Sequence, residues 1–256
     1  MKSRAETFAA FKALHVPGNP LLLANIWDAG SAKAVARTGA KALATGSWSV
    51  AAAHGLKDGE QLPRALALAN LARILAAVDL PVSIDLESGY GAGPDGVAET
   101  LRLAAEAGAT GCNLEDSVPA TGDARPLDEA VARLKAARLG AGADFFINAR
   151  TDVFLQNPPE LHTADMLESA LERGHAYAEA GADGLFLPGL ITASLIEVAV
   201  ARSPLPVNIM MMPGCPPVWT LKSLGVARIS QGPGPYQAAM AALADLARSF
   251  HQEEDA

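Results

Sequence analysis

Cysteine is nearly absent. Cys112 and Cys215 are the only two in 256 residues, and no C-x-x-C occurs, so a disulfide framework is excluded. Basic clusters are missing as well. Twenty Lys and Arg face 28 Asp and Glu, for a net charge of -8, which argues against nucleic acid or an anionic membrane as partner. No uninterrupted apolar run reaches the roughly 18 residues a membrane helix needs. The N-terminus, Met1-Lys2-Ser3-Arg4-Ala5-Glu6, lacks an apolar signal segment and cleavage site, so a cytoplasmic protein is expected. Charge itself is sparse at 19%, which points to surface covered by subunit contacts in a homo-oligomer, dimer or tetramer. Linkers and low-complexity segments are lacking, so residues 1–256 read as one domain.

Aliphatic residues are abundant, and they recur in a fixed order. A helix ends in a small-residue cap and an apolar run follows within a few residues. Thr38-Gly39-Ala40, Ala107-Gly108-Ala109, Ala180-Gly181-Ala182 and Leu224-Gly225-Val226 all do this. Eight strands are expected at 21–25, 42–46, 82–86, 110–114, 144–148, 184–187, 206–210 and 227–230. Helices are expected at 29–37, 63–77, 94–107, 127–140, 163–180, 191–202, 216–224 and 235–250, after an N-terminal helix at 3–14. Strict alternation of eight such pairs predicts an α/β fold, the (β/α)₈ TIM barrel. No G-x-G-x-x-G follows the first strand, which disfavours a doubly wound dinucleotide-binding sheet. The polar tail from His251 to Ala256 is expected to fray.

A barrel of this kind carries its chemistry at the C-terminal strand ends. Strand 3 reads Val82-Ser83-Ile84-Asp85-Leu86-Glu87 and runs into Ser88-Gly89-Tyr90-Gly91. Alternation predicts Asp85 and Glu87 on one side, about 7 Å apart along the strand. Two carboxylates so placed are costly to bury unless a divalent cation relieves them. Glu115, from the next strand, could complete the set around one Mg²⁺ or Mn²⁺, with Asp58 joining from a loop. Arg150 is the arginine read at the strand ends, and its planar guanidinium suits a substrate carboxylate. Backbone N–H groups around Gly46-Ser47-Trp48 could hold a second oxyanion.

Asp85-Leu86-Glu87-Ser88-Gly89-Tyr90-Gly91, Asn113-Leu114-Glu115-Asp116-Ser117 and Ile147-Asn148-Ala149-Arg150-Thr151-Asp152, with Gly55-Leu56-Lys57-Asp58, resemble the isocitrate lyase/phosphoenolpyruvate mutase superfamily, in its small phosphonomutase-like branch. The resemblance runs from about Phe8 to Pro235. It implies a Mg²⁺-dependent barrel enzyme that makes or breaks a C–C or P–C bond beside the carbonyl of an oxo-acid. It further implies Asp85 as main metal carboxylate, Glu87 and Glu115 on metal-bound waters, and Asp58 nearby. Arg150 and Gly46-Ser47 would then bind the oxo-acid. It also implies tetramers that exchange the last helix, here Tyr236 to Phe250. The isocitrate and methylisocitrate lyases of this superfamily carry a Lys-Arg-Cys-Gly-His loop after strand 4. Residues 117–126 here contain no Cys, Lys or His, so the isocitrate lyase reaction is not expected. An oxaloacetate-type acid, cleaved through its enolate, is the leading expectation. A P–C bond enzyme and a non-catalytic oxo-acid-binding barrel are the alternatives.

Other residues read more plainly. Cys112 is expected as a packed core thiol. Trp27 and Trp48 read as pocket wall or subunit packing, Asn208 is a candidate to reach the substrate, and Tyr90 reads as pocket or barrel rim. Asp116 and Asp152 read as supporting residues or helix caps. His15, His162, His175 and His251 read as surface residues.

Overall fold

All four glycines singled out at helix ends have φ between 85° and 105°, the left-handed region that ends a helix. The computed structural model describes residues 3–252. Its strands are β1 (Leu21–Leu23), β2 (Asn25–Ile26), β3 (Leu43–Thr45), β4 (Val82–Asp85), β5 (Gly111–Glu115), β6 (Phe146–Arg150), β7 (Gly184–Leu187), β8 (Val207–Met210) and β9 (Arg228–Ser230). The helices are α1 (Arg4–Lys12), α2 (Ala29–Ala36), α3 (Ser47–Ala53), α4 (Arg64–Leu75), α5 (Pro94–Ala107), α6 (Leu127–Ala141), α7 (Ala164–Glu179), α8 (Ala193–Arg202), α9 (Val218–Ser223) and α10 (Gly234–Gln252).

The sheet is parallel throughout, in the order β1-β9-β8-β7-β6-β5-β4-β3-β2. β1 and β2 are two halves of the single strand expected at 21–25, parted at Ala24. The first half pairs with the last strand (Leu23 with Ser230) and the second with β3 (Asn25 with Ala44), which closes the barrel. The fifth predicted strand lies two residues later than expected, so Arg150 is its last residue. β4 stops at Asp85. The loop from Gly46 to Asp58 holds an unpredicted helix, α3.

Strand side chains alternate between two cores. Cys112, Leu114, Ile147, Ala149, Leu185 and Ile209 face the helices and share one cluster with Leu101, Leu134 and Leu171. Leu21, Leu23, Ala44 and Phe146 form a smaller cluster with Phe11 of α1. His15, just after α1, stacks on Phe146 with ring centroids 4.1 Å apart. It is buried rather than exposed, and burial, aided by the charge of Arg228, pushes its pKa down to about 3. The surface reading failed there because α1 folds back over the barrel end.

The last helix behaves differently. No side chain of α10 is buried, and Leu243, Leu246 and Phe250 stand 58–70% exposed. A groove of about 740 Å³ lies over β1, lined by Leu14, Val16, Leu22, Val35, Met211 and Val218 among others. His251 and Gln252 still belong to α10, and the rest of the tail lies outside the described residues. Among the described residues no helix is long and apolar enough to cross a membrane.

Candidate active site

Loops at the C-terminal strand ends enclose a cavity of about 190 Å³. Its polar lining is Asn25, Ser47, Asp58, Asp85, Asn113, Arg150 and Ser230, and its apolar lining includes Trp48, Leu155, Phe186 and Met210. Asp85 reaches it because β4 ends there. Its N–H donates to Thr45 Oγ1 at 2.9 Å, and its Oδ2 accepts from the Ser47 N–H at 3.0 Å. Its Oδ1 is buried with no hydrogen-bond partner. A lone carboxylate oxygen in that state is expensive, and a cation is the natural partner.

Glu87 does not continue the strand. Its φ is 50°, and the chain swings it under the loop at 58–60. Oε2 accepts the N–H groups of Gly59 at 2.8 Å and Glu60 at 2.5 Å, and Oε1 accepts the Tyr90 hydroxyl at 2.9 Å. Glu60 returns the contact, accepting from the Ser88 hydroxyl and the Tyr90 N–H. The glycine-rich turn is forced here: a Cβ on Gly91 would come within 2.5 Å of the Gly96 backbone in α5. Arg133 pins the turn through the carbonyls of Ser88 and Gly91. Tyr90 thus braces Glu87 and does not line the cavity.

Burial, and then the charge of Asp58, pushes Glu87 up to about 7. Burial, and then Asp85, raises Asp58 as well. The folded chain holds the Glu87 proton to about pH 7, the unfolded chain only to about 4.5. The native state binds more protons inside that window, so metal-free stability should fall as pH rises through it. Glu87→Gln is therefore expected to stabilise the metal-free protein at pH 8 by about 3 kcal/mol and to make no difference at pH 4. Thermal melts in a chelator at both values check this; equal effects at the two would contradict it.

Arg150 sits between two acids. Its Nε and Nη2 grip both oxygens of Asp152 at 2.6 and 2.9 Å, and Nη1 meets Glu115 Oε2 at 2.8 Å. Burial alone would lower its pKa, but Glu115 and Asp152 outweigh that and hold it charged. Three of its five N–H groups are spent, which leaves two for a ligand. Asp152 is held in turn by the Ser117 hydroxyl at 2.6 Å, and its N–H donates to Asp116. Neither acid caps a helix. The sequence signal for Asp152 is its i+2 spacing from Arg150 at a strand end.

The expected residues are only partly brought together. Gly46, Ser47, Trp48, Asp58, Asp85 and Arg150 share the cavity. Glu115 adjoins it through Arg150, while Glu87 lies beneath the 58–60 loop. Among the described residues no three His, Cys, Asp or Glu side chains cluster closely enough to ligate one ion, so a ring of three direct carboxylates is not formed. The amides of Gly46 and Ser47 are already engaged, by Ile26 O and by Asp85. Trp27 lies outside the lining and packs edge-on against Tyr236, ring centroids 5.1 Å apart. Asn208 is buried in the barrel interior, its amide spent on Ile209 O, Arg228 O and Ser230. Residues 117–126 also stay out of the cavity. They form a turn closed by Val118 N–H on Asp123 O and tied down by Arg173 on Arg125 O. Arg228, inside the barrel, is a buried charge that the strand-end reading overlooked because it begins a strand.

A closed parallel barrel with buried acids and one arginine gathered at its C-terminal mouth defines a class of enzyme-like (β/α)₈ proteins. The phosphoenolpyruvate phosphomutase family model matches residues 11–251, and the chain belongs to this family, within the phosphoenolpyruvate mutase/isocitrate lyase superfamily. A solved structure from Burkholderia cenocepacia, provisionally assigned as a phosphonomutase, is 55% identical with a TM-score of 0.94, over 97% of this chain and 100% of that one. A Mycobacterium tuberculosis protein described as uncharacterized is 34% identical over 96% of this chain and 90% of its own length. The 2-methylisocitrate lyase of Salmonella typhimurium is 32% identical over 90% of this chain and 78% of its own.

Proposed function

We propose that this protein is a Mg²⁺-dependent lyase that makes or breaks a C–C bond in a small 2-oxo or 2-hydroxy dicarboxylic acid through an enolate, with an oxaloacetate-type acid as substrate. One observation carries the reading: a single cavity pairs the unpartnered Asp85 Oδ1 with the two uncommitted N–H groups of Arg150. The donor set fits a hard cation, Mg²⁺ or Mn²⁺, held directly by Asp85 and through water by Asp58 and Glu115, while Glu87, its oxygens spent on Gly59, Glu60 and Tyr90, holds the 58–60 loop in place. When bound, the ion supplies Lewis-acid stabilisation of enolate charge.

The protein's own residues do the rest. Arg150 receives a substrate carboxylate, and Glu115 and Asp152 keep it charged and aimed. Trp48, Leu155 and Phe186 give the cavity an apolar wall. Asp58, whose pKa burial raises, is the one lining acid suited to carry a proton to or from the enolate carbon. No Cys, His or Lys lines the cavity among the described residues. A 2-hydroxy acid needs a base for its hydroxyl proton, whereas loss of CO₂ from a 2-oxo dicarboxylic acid yields the enolate directly. That favours oxaloacetate. The 55% identity to a structure provisionally assigned as a phosphonomutase favours P–C chemistry as the second reading.

The test is a screen of oxaloacetate, 2-methylisocitrate, isocitrate and phosphonopyruvate, with Mg²⁺ and with chelator. Mg²⁺-dependent loss of oxaloacetate is the expected result. Turnover of phosphonopyruvate alone would replace this reading with the second.

The bare apolar face of α10 and the open groove over β1 support a homo-oligomer that exchanges its last helix. Leu246→Glu with Phe250→Glu should then dissociate the oligomer to monomer at micromolar concentration. Light scattering checks this; an unchanged mass would count against exchange.

A further inference from the structure

Three asparagines and one arginine form a hydrogen-bonded chain across the inner face of the barrel. Asn208 of β8 is anchored first. Its Nδ2 lies 2.9 Å from Ile209 O and 3.3 Å from Arg228 O, and carbonyls only accept. Its Oδ1 must therefore face Asn148, whose Nδ2 donates to it at 3.0 Å. The same Nδ2 donates to Asn113 Oδ1 at 2.9 Å. The Asn113 oxygen also accepts from Arg228 Nη2 at 3.2 Å. A guanidinium only donates, so the far end is anchored as well. All three amide orientations are thereby determined by chemistry. Asn113 must show its NH₂ group to the cavity it lines, and that nitrogen makes no hydrogen bond within the protein.

Arg228 carries the rest of the inference. It is 1% exposed, and its Nε and Nη1 are buried without partners. A buried cation with two unsatisfied donors lowers stability, so the fold has no use for it as such. Its one side-chain hydrogen bond turns Asn113 towards the cavity, and the charge of Asp85 offsets part of the cost of its burial.

We propose that Asn113 is a recognition residue that donates its amide N–H to a substrate oxygen, and that Arg228 is the positioning residue that fixes the donor's direction. In the sheet Asn113 lies beside Asp85 in register, so the oxygen it meets is on the Asp85 side of the ligand. The inference rests on the oxo-acid reading above and adds to it a donor that the site's acids cannot provide.

Calorimetric titration with oxalate, Mg²⁺ present, tests it alongside thermal melts. Wild type should bind. Asn113→Leu should weaken binding about tenfold or more. Arg228→Met should weaken it severalfold while holding or raising the melting temperature, which a merely structural role would not do. Should Asn113→Leu fail to fold, Asn113→Ser carries the same expectation. Oxalate binding by either variant equal to wild type overturns the proposal, as does a lowered melting temperature in Arg228→Met with a matching loss of affinity. Wild type that fails to bind oxalate contradicts the oxo-acid reading itself, and the recognition role falls with it.

Discussion

Asp85→Asn should lower Mg²⁺-dependent turnover on the order of a thousandfold while leaving the fold intact or slightly more stable in chelator. The two halves of this expectation have one cause. In the free protein Asp85 Oδ1 is a buried oxygen without a partner, and the charge of Asp85 raises Asp58. Asparagine keeps an acceptor for the Ser47 N–H and removes the charge. The one carboxylate proposed to bind the ion directly goes with it. Activity and stability should therefore move in opposite directions, as expected where a site stores unfavourable charge for a ligand. Steady-state rates and melts on the same preparation check both. Retained activity would remove Asp85 from the mechanism.

Arg150→Leu should cost both. Glu115 and Asp152 would be left buried beside no cation, a loss of about 3–5 kcal/mol. The carboxylate receiver would also be gone, and turnover should fall by roughly another thousandfold-scale factor relative to wild type. Arg150→Lys should recover most of the stability and little of the activity, because an ammonium cannot grip Asp152 with two N–H groups and still present two more. Rates close to wild type in Arg150→Lys would show that a point charge suffices and that the fork geometry is irrelevant.

The barrel was legible because its signals are local. Helix, glycine and apolar run recur four times with almost no variation, and each strand lies within two residues of its expected position. Asp85 and Arg150 were legible for a related reason: polar residues at apolar strand ends have few places to go; Asp58, in the loop after α3, was reached through the Gly55-Leu56-Lys57-Asp58 motif. What failed depended on where the backbone turns. Glu87 was placed beside Asp85 by alternation, but the strand stops at Asp85 and a left-handed residue sends Glu87 under the neighbouring loop. Asn208 was expected to reach the substrate, yet two carbonyls and a serine hydroxyl consume its amide inside the barrel. The pairing of Asp152 with Arg150 needed the sixth strand's true end, two residues beyond its expected one. The asparagine chain and Arg228 were invisible for the same reason, since inward-facing polar residues from four strands carry no common motif in sequence.

On the proposed function, Asp85 and its neighbours await a divalent cation. Titration of Mg²⁺ into chelator-treated protein, followed calorimetrically for wild type and Asp85→Asn, tests it most directly. One saturable site per chain in wild type, absent from the variant, is the predicted result. Equal binding in the two, or none in wild type up to millimolar Mg²⁺, would contradict it.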